Sequence, residues 1–559
     1  MVNKRKFWRF LVNLCEGIRE WLSDRENLFF MVLILVHLLP IWLFKYFPSQ
    51  DGPAHLYNSN VLRQYYFPER SLFREYYFIN QQLAPNWFIH LVMAGLMYVV
   101  PPLVAEKLLL SSYVILLPIS IRYALHAIRP DAKFLAFLAF PFIYNRMLHM
   151  GFYNFSFSLP MFFFVVGYWL KYQNQFTLRN TVTLGFLALL LYFCHLVSLV
   201  PACVAIAVLT VWLTLFEVAQ QLRQQEFDPQ SLWKAFRRRA LMPLCAFLPT
   251  LIIAAMFTLS KESAAEHNIF QVPIWKQALK LLSLNSIGSY HRLEVLLSTA
   301  LAGLFVAIFI YLMISKVAHR QINRWDGLLL LVATYVVIYF IAPNAMYGGG
   351  HLIPINVRLI FYPFFALILW FGAQSYQRLM KRRIQIIAVG ISLMLLGIHT
   401  VKYAELNNYM EEYVSGMNLI EPNTTLLTHH LDSLDKRGRA PNGQVVSWRI
   451  EPFENFSAYV AAQRHLVDLR NYAAGRDYFP IMFRSSLNPY IHINTDDITY
   501  SQETGGRVDY VLVWGLHKED RENEETKSIF RQLQDGYELI YTSPQRGLKQ
   551  LYRRKDWKQ

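Results

Sequence analysis

Charge is what this chain has least of. Of its 559 residues 16% are Asp, Glu, Lys or Arg, against ~25% in soluble globular domains, while 54% are hydrophobic and 16% aromatic. Polar side chains are too few to cover a water-facing surface of this size, so most of the chain has to face lipid. Cysteine is almost absent: Cys15, Cys194, Cys203 and Cys245 lie in or near apolar stretches and none follows, which excludes a disulfide framework in the polar C-terminal part. GxGxxG, P-loop, CxxC and HExxH motifs, internal repeats and low-complexity tracts are all missing. A cleavable signal peptide is not expected, because the first long apolar run starts near Leu28 and no small-residue cleavage site follows it.

Acid is scarcer than base, and the imbalance is local. Residues 401–559 hold 20 Lys and Arg against 22 Asp and Glu, leaving 34 basic and 16 acidic residues on residues 1–400. The whole basic excess therefore belongs to the hydrophobic part. That is the signature of cytoplasmic loops in a membrane protein, and it argues against nucleic acid as the partner behind the basic character.

What is abundant is apolar runs. Eleven stretches approach the ~20 residues a membrane span needs, at about 28–46, 103–121, 134–146, 155–170, 180–196, 200–219, 240–259, 295–315, 327–343, 357–374 and 384–401. Before them, Phe7, Phe10, Leu11, Leu14, Ile18, Trp21 and Leu22 share one face of a helix within residues 1–27, which reads as an interfacial cytoplasmic helix. With the N-terminus inside, 23 of the 34 basic residues of this part fall in the cytoplasm. An odd span count then sends residues 402–559 outside, to the periplasm if the cell is Gram-negative. Outer loops are expected at 47–102, 260–293 and 344–356, and long loops tend to carry function. Within the first, His55 to Tyr66 reads as helix, and Trp87 to Val100 is too short to span. The C-terminal part alternates β-like runs at Thr424–Leu427, Val445–Ile450, Val508–Trp514 and Leu539–Thr542 with helical patterns at 456–469 and 519–535, as a small α/β domain does.

Few acids fall on the outer side: Asp51, Glu69, Glu75, Glu106, Glu262, Glu266 and Glu294. Asp51 stands directly after the first span, in Phe47-Pro48-Ser49-Gln50-Asp51-Gly52-Pro53-Ala54-His55. A carboxylate fixed by a rigid turn near the lipid interface suits a general base or a metal ligand. His55, four residues on, falls beside it on a helix. The plainer alternative is that Asp51 only caps that helix. Arg146 and Arg358 are fixed positive charges at outer span ends, placed to hold a lipid-linked phosphate or to snorkel to headgroups. His149, Asn154, His195, His351 and Asn356 are further polar residues at membrane depth or at span ends, with a core role expected for His195. Tyr347-Gly348-Gly349-Gly350-His351 reads as a flexible loop, either closing over a ligand or simply connecting spans, and Lys261, Glu262, Glu266, His267, His291 and Arg292 as a largely solvated polar rim.

With the acid just after the first span, a long first outer loop with interfacial helices, and a polar outer C-terminal domain, the chain resembles the GT-C superfamily of polyprenyl-phosphate-sugar-dependent glycosyltransferases. That group includes the protein O-mannosyltransferases and the aminoarabinose transferases of lipid A. The resemblance implies a polytopic helical membrane protein with Asp51 in the position of the essential first-loop acid. Many members have two adjacent acids there. Gly52 departs from that pattern, leaving His55 as the substitute and a divalent metal on Asp51 and His55 an open question. The resemblance also implies Arg358 as the basic residue for the donor phosphate.

The expected function is an inverting transfer of a sugar from a polyprenyl-phosphate donor in the membrane lipid to a glycan, lipid or protein acceptor. Asp51 and His55 are its expected catalytic residues. Arg358, Arg146 and His351 are expected at the donor phosphate, and Lys261, Glu262, Glu266 and His149 at the substrate. The rival is a transporter or flippase for a lipid-linked or anionic solute, which would carry repeated halves and ionisable residues near mid-membrane. Polar residues here collect at span ends instead.

Overall fold

The structure is a computed structural model that describes residues 23–262, 268–319, 322–348, 351–431, 435–494, 497–501, 504–517 and 524–556, together with Glu16. The amphipathic stretch before residue 23, apart from Glu16, and Glu266 and His267 lie outside the described residues.

Among those residues seven helices are long and apolar enough to cross a membrane: Arg25–Leu43, Pro102–Ile128, Leu196–Gln224, Pro229–Ser260, Leu293–Ala318, Arg324–Ile341 and Arg378–Leu419. The chain is a polytopic helical protein by that measure. The other four of the eleven expected stretches take different forms. The run at 134–146 lies mostly in a 3-10 helix, Pro130–Phe142, whose side chains from Phe134 onward are enclosed by protein. The run at 155–170 is the helix Tyr153–Tyr172, almost wholly buried and diluted by Asn154, Ser156 and Ser158. Leu178–Cys194 and Asn356–Gly372 are apolar but shorter. Hydropathy registers the need for an apolar surrounding without telling lipid from neighbouring helices. The closely joined runs 180–196 and 200–219 part at His195, and Pro201 lies inside the helix Leu196–Gln224.

The segment after the first long helix folds back along one end of the bundle. It forms the helix Gly52–Gln64, a short strand β1 (Tyr77–Ile79) and the nine-residue helix Phe88–Leu96. Strands β2 (Asn268–Phe270), β3 (Ala345–Gly348) and β4 (His351–Pro354) make an antiparallel sheet in that order. The glycine-rich stretch expected to be a flexible loop is therefore the β3–β4 hairpin, with residues 349–350 outside the described set.

The helix Arg378–Val414 leads into a mixed five-stranded sheet of order β6-β5-β8-β10-β9. Here β5 (Thr425–His430) is parallel to β6 (Val467–Asp468) and β8 (Tyr510–Trp514), while β10 (Lys549–Arg554) runs antiparallel to β8 and β9 (Tyr537–Thr542). β8 is an unbroken apolar run, Tyr-Val-Leu-Val-Trp, buried along its length, as a strand covered on both faces requires. The run Val445–Ile450 is not a strand and makes one isolated bridge, Arg439 to Val445.

Two features tie this domain to the 52–79 segment. β1 pairs antiparallel with β7 (Ile481–Phe483), Tyr77 opposite Phe483. Beside it, Asn58 and Asn471 exchange amide hydrogen bonds of 2.9 and 3.1 Å, and the Tyr57 hydroxyl donates to the Leu466 carbonyl at 2.7 Å. These amides are buried, so each depends on the other for satisfaction.

Candidate active site

The Asp51 turn is clamped from two sides. The backbone N–H groups of Gln50 and Asp51 donate to the carbonyls of His149 and Met150 at 3.0 and 3.2 Å. Gly151, at φ +78°, presses its α-carbon so close to the Asp51–Gly52 backbone that a side chain there would overlap it. On the other face a β-carbon at Gly52 would strike the Ser49 hydroxyl and the Tyr153 phenol. Those two hydroxyls are 2.8 Å apart, and Tyr153 donates onward to Glu106 at 2.9 Å, whose second oxygen accepts from Tyr459 at 2.7 Å. A second acid at position 52 has no room. The space is filled by a buried relay that ends on Glu106, itself 1% exposed.

Asp51 occupies the N-cap position of the helix Gly52–Gln64 but makes no capping bond. Its carboxylate instead accepts from the Asn455 amide at 2.9 Å and from the Tyr472 hydroxyl. Both partners come from the C-terminal domain. Burial pushes the carboxyl up to about 7, against the pull of the nearby Arg476 guanidinium and the Tyr472 bond. A carboxyl that is half ionised near neutral pH is matched to general-base work.

One turn along, the His55 ring lies 3.2 Å from that of His90, whose other nitrogen sits 2.9 Å from the Asn86 carbonyl. Burial holds both imidazoles neutral, His90 down to about 4. Each neutral ring carries one proton, and the two rings share these among the Asn86 carbonyl, the Gly151 carbonyl and the contact between them.

Asp51, His55 and Arg358 line one cavity of about 270 Å³. Its remaining walls include Phe152, Phe155, Leu196, Val197, Phe257 and Phe479, with Tyr472, Arg476 and Tyr478 at the domain side. Leu196 and Val197 begin one long apolar helix and Phe257 lies near the end of another, so the cavity is bordered by membrane-type helix ends. Arg358 is 7% exposed. One nitrogen donates to the Pro354 carbonyl at 2.6 Å, the guanidinium lies 4.7 Å from the Phe152 ring centre, and Nε has no partner. It makes no ion pair among the described residues. The acidic charge that acts on it is that of Asp51 across the cavity; a buried cation so weakly balanced is costly, and an anion in this cavity would offset it.

The other expected residues are spread more widely. Arg146 lies outside this cavity, in a second chamber that shares the Asp51 wall. His149 lines neither chamber. It is fully buried between Ser289 and Tyr403, at 2.7 and 2.6 Å, and supports the packing beneath the turn. His195 caps the helix Leu196–Gln224 by accepting from the Val197 N–H at 3.1 Å and also lines the cavity, so it is more than a core residue. His351 stands in β4, and Lys261 and Glu262 end the helix Met242–Glu262; their side chains and Glu266 lie outside what is described. For a divalent cation, Asp51 and His55 are joined by no third ligand, as no three His, Cys, Asp or Glu side chains are so grouped among the described residues. Arg476 beside Asp51 also disfavours a second positive charge.

Residues missed in the sequence are His90, beside His55, and five from the C-terminal domain: Asn455, Arg470, Tyr472, Arg476 and Tyr478. The signal for the domain residues was a stretch dense in aromatics and arginine, Tyr472-Ala-Ala-Gly-Arg-Asp-Tyr-Phe479, with neither helical nor strand periodicity inside a polar domain. Arg476 donates to the Tyr478 hydroxyl at 2.7 Å and lies over the Tyr472 ring at 4.8 Å. No family model and no curated protein matches the chain.

Proposed function

We propose that the protein is an inverting membrane glycosyltransferase of GT-C-like architecture that moves a sugar from a polyprenyl-phosphate donor to an acceptor hydroxyl. The clusters of basic residues in the loops away from Asp51 support reading the face that carries the C-terminal domain as the extracytoplasmic one. Asp51 takes the proton of the acceptor hydroxyl as its oxygen bonds to the sugar's anomeric carbon from the face opposite the phosphate. The bond from that carbon to the phosphate oxygen breaks, and the lipid phosphate leaves with the electron pair. Arg358 and Arg476 carry the charge that develops on it, the term that usually contributes most to catalysis. The prenyl chain runs out past Leu196, Val197 and Phe257 towards lipid.

The observation that carries this reading is the pairing, in one cavity, of a buried carboxyl raised to about 7 with a buried arginine that makes no direct ion pair among the described residues. The test is transfer by the purified protein in proteoliposomes from a panel of radiolabelled polyprenyl-phosphate sugars. Asp51→Asn is expected to abolish product with the fold intact, and Arg358→Gln to lower turnover by about two to three orders of magnitude. Near-normal turnover in Asp51→Asn refutes the mechanism. Movement of the labelled lipid between leaflets with no new glycosidic bond supports the flippase instead.

A further inference from the structure

The second chamber, about 530 Å³, lies on the domain side of the Asp51 wall. It shares Asp51, Phe152, Pro354, Tyr472 and Arg476 with the first cavity, but its other residues are Gln50, Arg146 and Met150 and residues of the C-terminal domain. No residue of a long apolar helix lines it, so whatever fills it arrives from water or from the headgroup layer.

Its charge is lopsided. Arg146, Lys436, Arg470 and Arg476 line it, against Glu454 and Asp51. Glu454 is already taken by Lys436 at 2.7 Å. None of the three arginines makes an ion pair among the described residues. Arg470 spends one nitrogen on the Thr428 carbonyl at 3.1 Å, Arg476 bonds Tyr478, and Nε of both Arg146 and Arg476 is buried without a partner. The charges felt by Arg146 are those of Arg449 and Lys280, which add to its field rather than balance it. The charge of Arg476 acts on Asp51 and that of Arg470 on buried Asp468, while Arg146 faces only other cations. With none of them locked in a direct ion pair among the described residues, three guanidiniums around one space present a fork geometry that phosphate oxygens fill bidentately.

We propose that this chamber is the acceptor site and that it takes a phosphorylated sugar, whose phosphate sits among Arg146, Arg470 and Arg476 and whose free hydroxyl reaches Asp51. The proposal rests on the transferase reading for the role of Asp51, while the anion site itself stands on the arginines alone. The phosphate belongs either to a soluble sugar phosphate or to a lipid-borne phosphorylated headgroup, and both present the same group to the chamber.

The test is equilibrium binding to the full chain in nanodiscs, followed by calorimetry, with no donor present. The probes are glucose 6-phosphate, glucose, glucuronate, and phosphatidylcholine vesicles with or without phosphatidylinositol 4-phosphate. Glucose 6-phosphate or the phosphoinositide vesicles should bind at least about ten-fold more tightly than glucose and glucuronate, and whichever binds identifies the source. Arg146→Gln and Arg470→Gln should each weaken that binding about ten-fold, with Arg470→Lys recovering part of it. Glucose 6-phosphate binding no tighter than glucose or glucuronate, together with vesicles that bind equally with and without the phosphoinositide, overturns the proposal without any variant having to fold. Asp51→Asn should keep the phosphosugar binding. If that variant also keeps transferring sugar, the transferase reading fails while the anion site stands.

Discussion

Replacing Asp51 by Asn should make the protein inactive and, above neutral pH, more stable. In the folded chain burial raises this carboxyl from 3.8 to about 7. A raised value means that the native state holds the proton more tightly than the unfolded chain does. Below pH 3.8 both states are protonated and the site costs nothing, whereas from there to about pH 7 the unfolded chain gains by ionising and the native state does not. The penalty therefore grows across that window and is complete above it. Between 3.8 and about 7, at 1.36 kcal/mol for each pH unit, the penalty reaches about 4 kcal/mol. Asparagine has the same shape, still accepts from Asn455, and carries no charge to desolvate. Thermal unfolding of the two proteins in detergent, followed by tryptophan fluorescence from about pH 4 to about pH 8, reads the difference. The midpoint of Asp51→Asn should match that of the wild type at the acid end and exceed it by several degrees at the alkaline end. A gap that is constant with pH, or a variant less stable at pH 8, would show that Asn455, Tyr472 and Arg476 satisfy the carboxylate fully, and that the base is not held at a cost.

Three further outcomes follow from the same geometry. Arg476→Gln removes the positive charge that opposes the burial of Asp51, so the carboxyl should rise by about one more unit. Ionisation alone then lowers turnover about five-fold at pH 7 and hardly at all at pH 9, and a loss equal at every pH would remove Arg476 from the tuning of Asp51. Gly52→Ala should cost about 1–3 kcal/mol through overlap with Ser49 and Tyr153, and adding Tyr153→Phe should recover part of it; a fully additive double variant counts against that clash. Glu106→Gln leaves a single oxygen for the hydroxyls of Tyr153 and Tyr459, which should cost about 1–3 kcal/mol in unfolding and lower turnover, since one buried donor loses its partner. An unchanged midpoint would place the relay outside what holds the turn.

The scarcity of acid made Asp51 readable, because a rigid Pro-Ser-Gln-Asp-Gly-Pro turn after an apolar helix leaves few competitors for a catalytic carboxylate. His55 was readable by helical spacing, and Arg358 by the cost of a charge at a span end. What surrounds them was not, and the reason lies in distance along the chain. Asn455, Tyr472 and Arg476 reach Asp51 only because β1 and β7, each three residues long, pair across some 400 residues of sequence, and because Asn58 finds Asn471. Neither three-residue strand has a period to detect, and an amide pair leaves no pattern at all. The same limit explains Glu106. It reads as one more acid at the start of an apolar helix until Tyr153 and Tyr459 are seen to converge on it. The departure at Gly52 is then no defect of the motif. With Tyr153 and Ser49 filling the place of a neighbouring side chain, this turn holds a single carboxyl, and its charge is set by burial and by a domain that the first 400 residues do not contain.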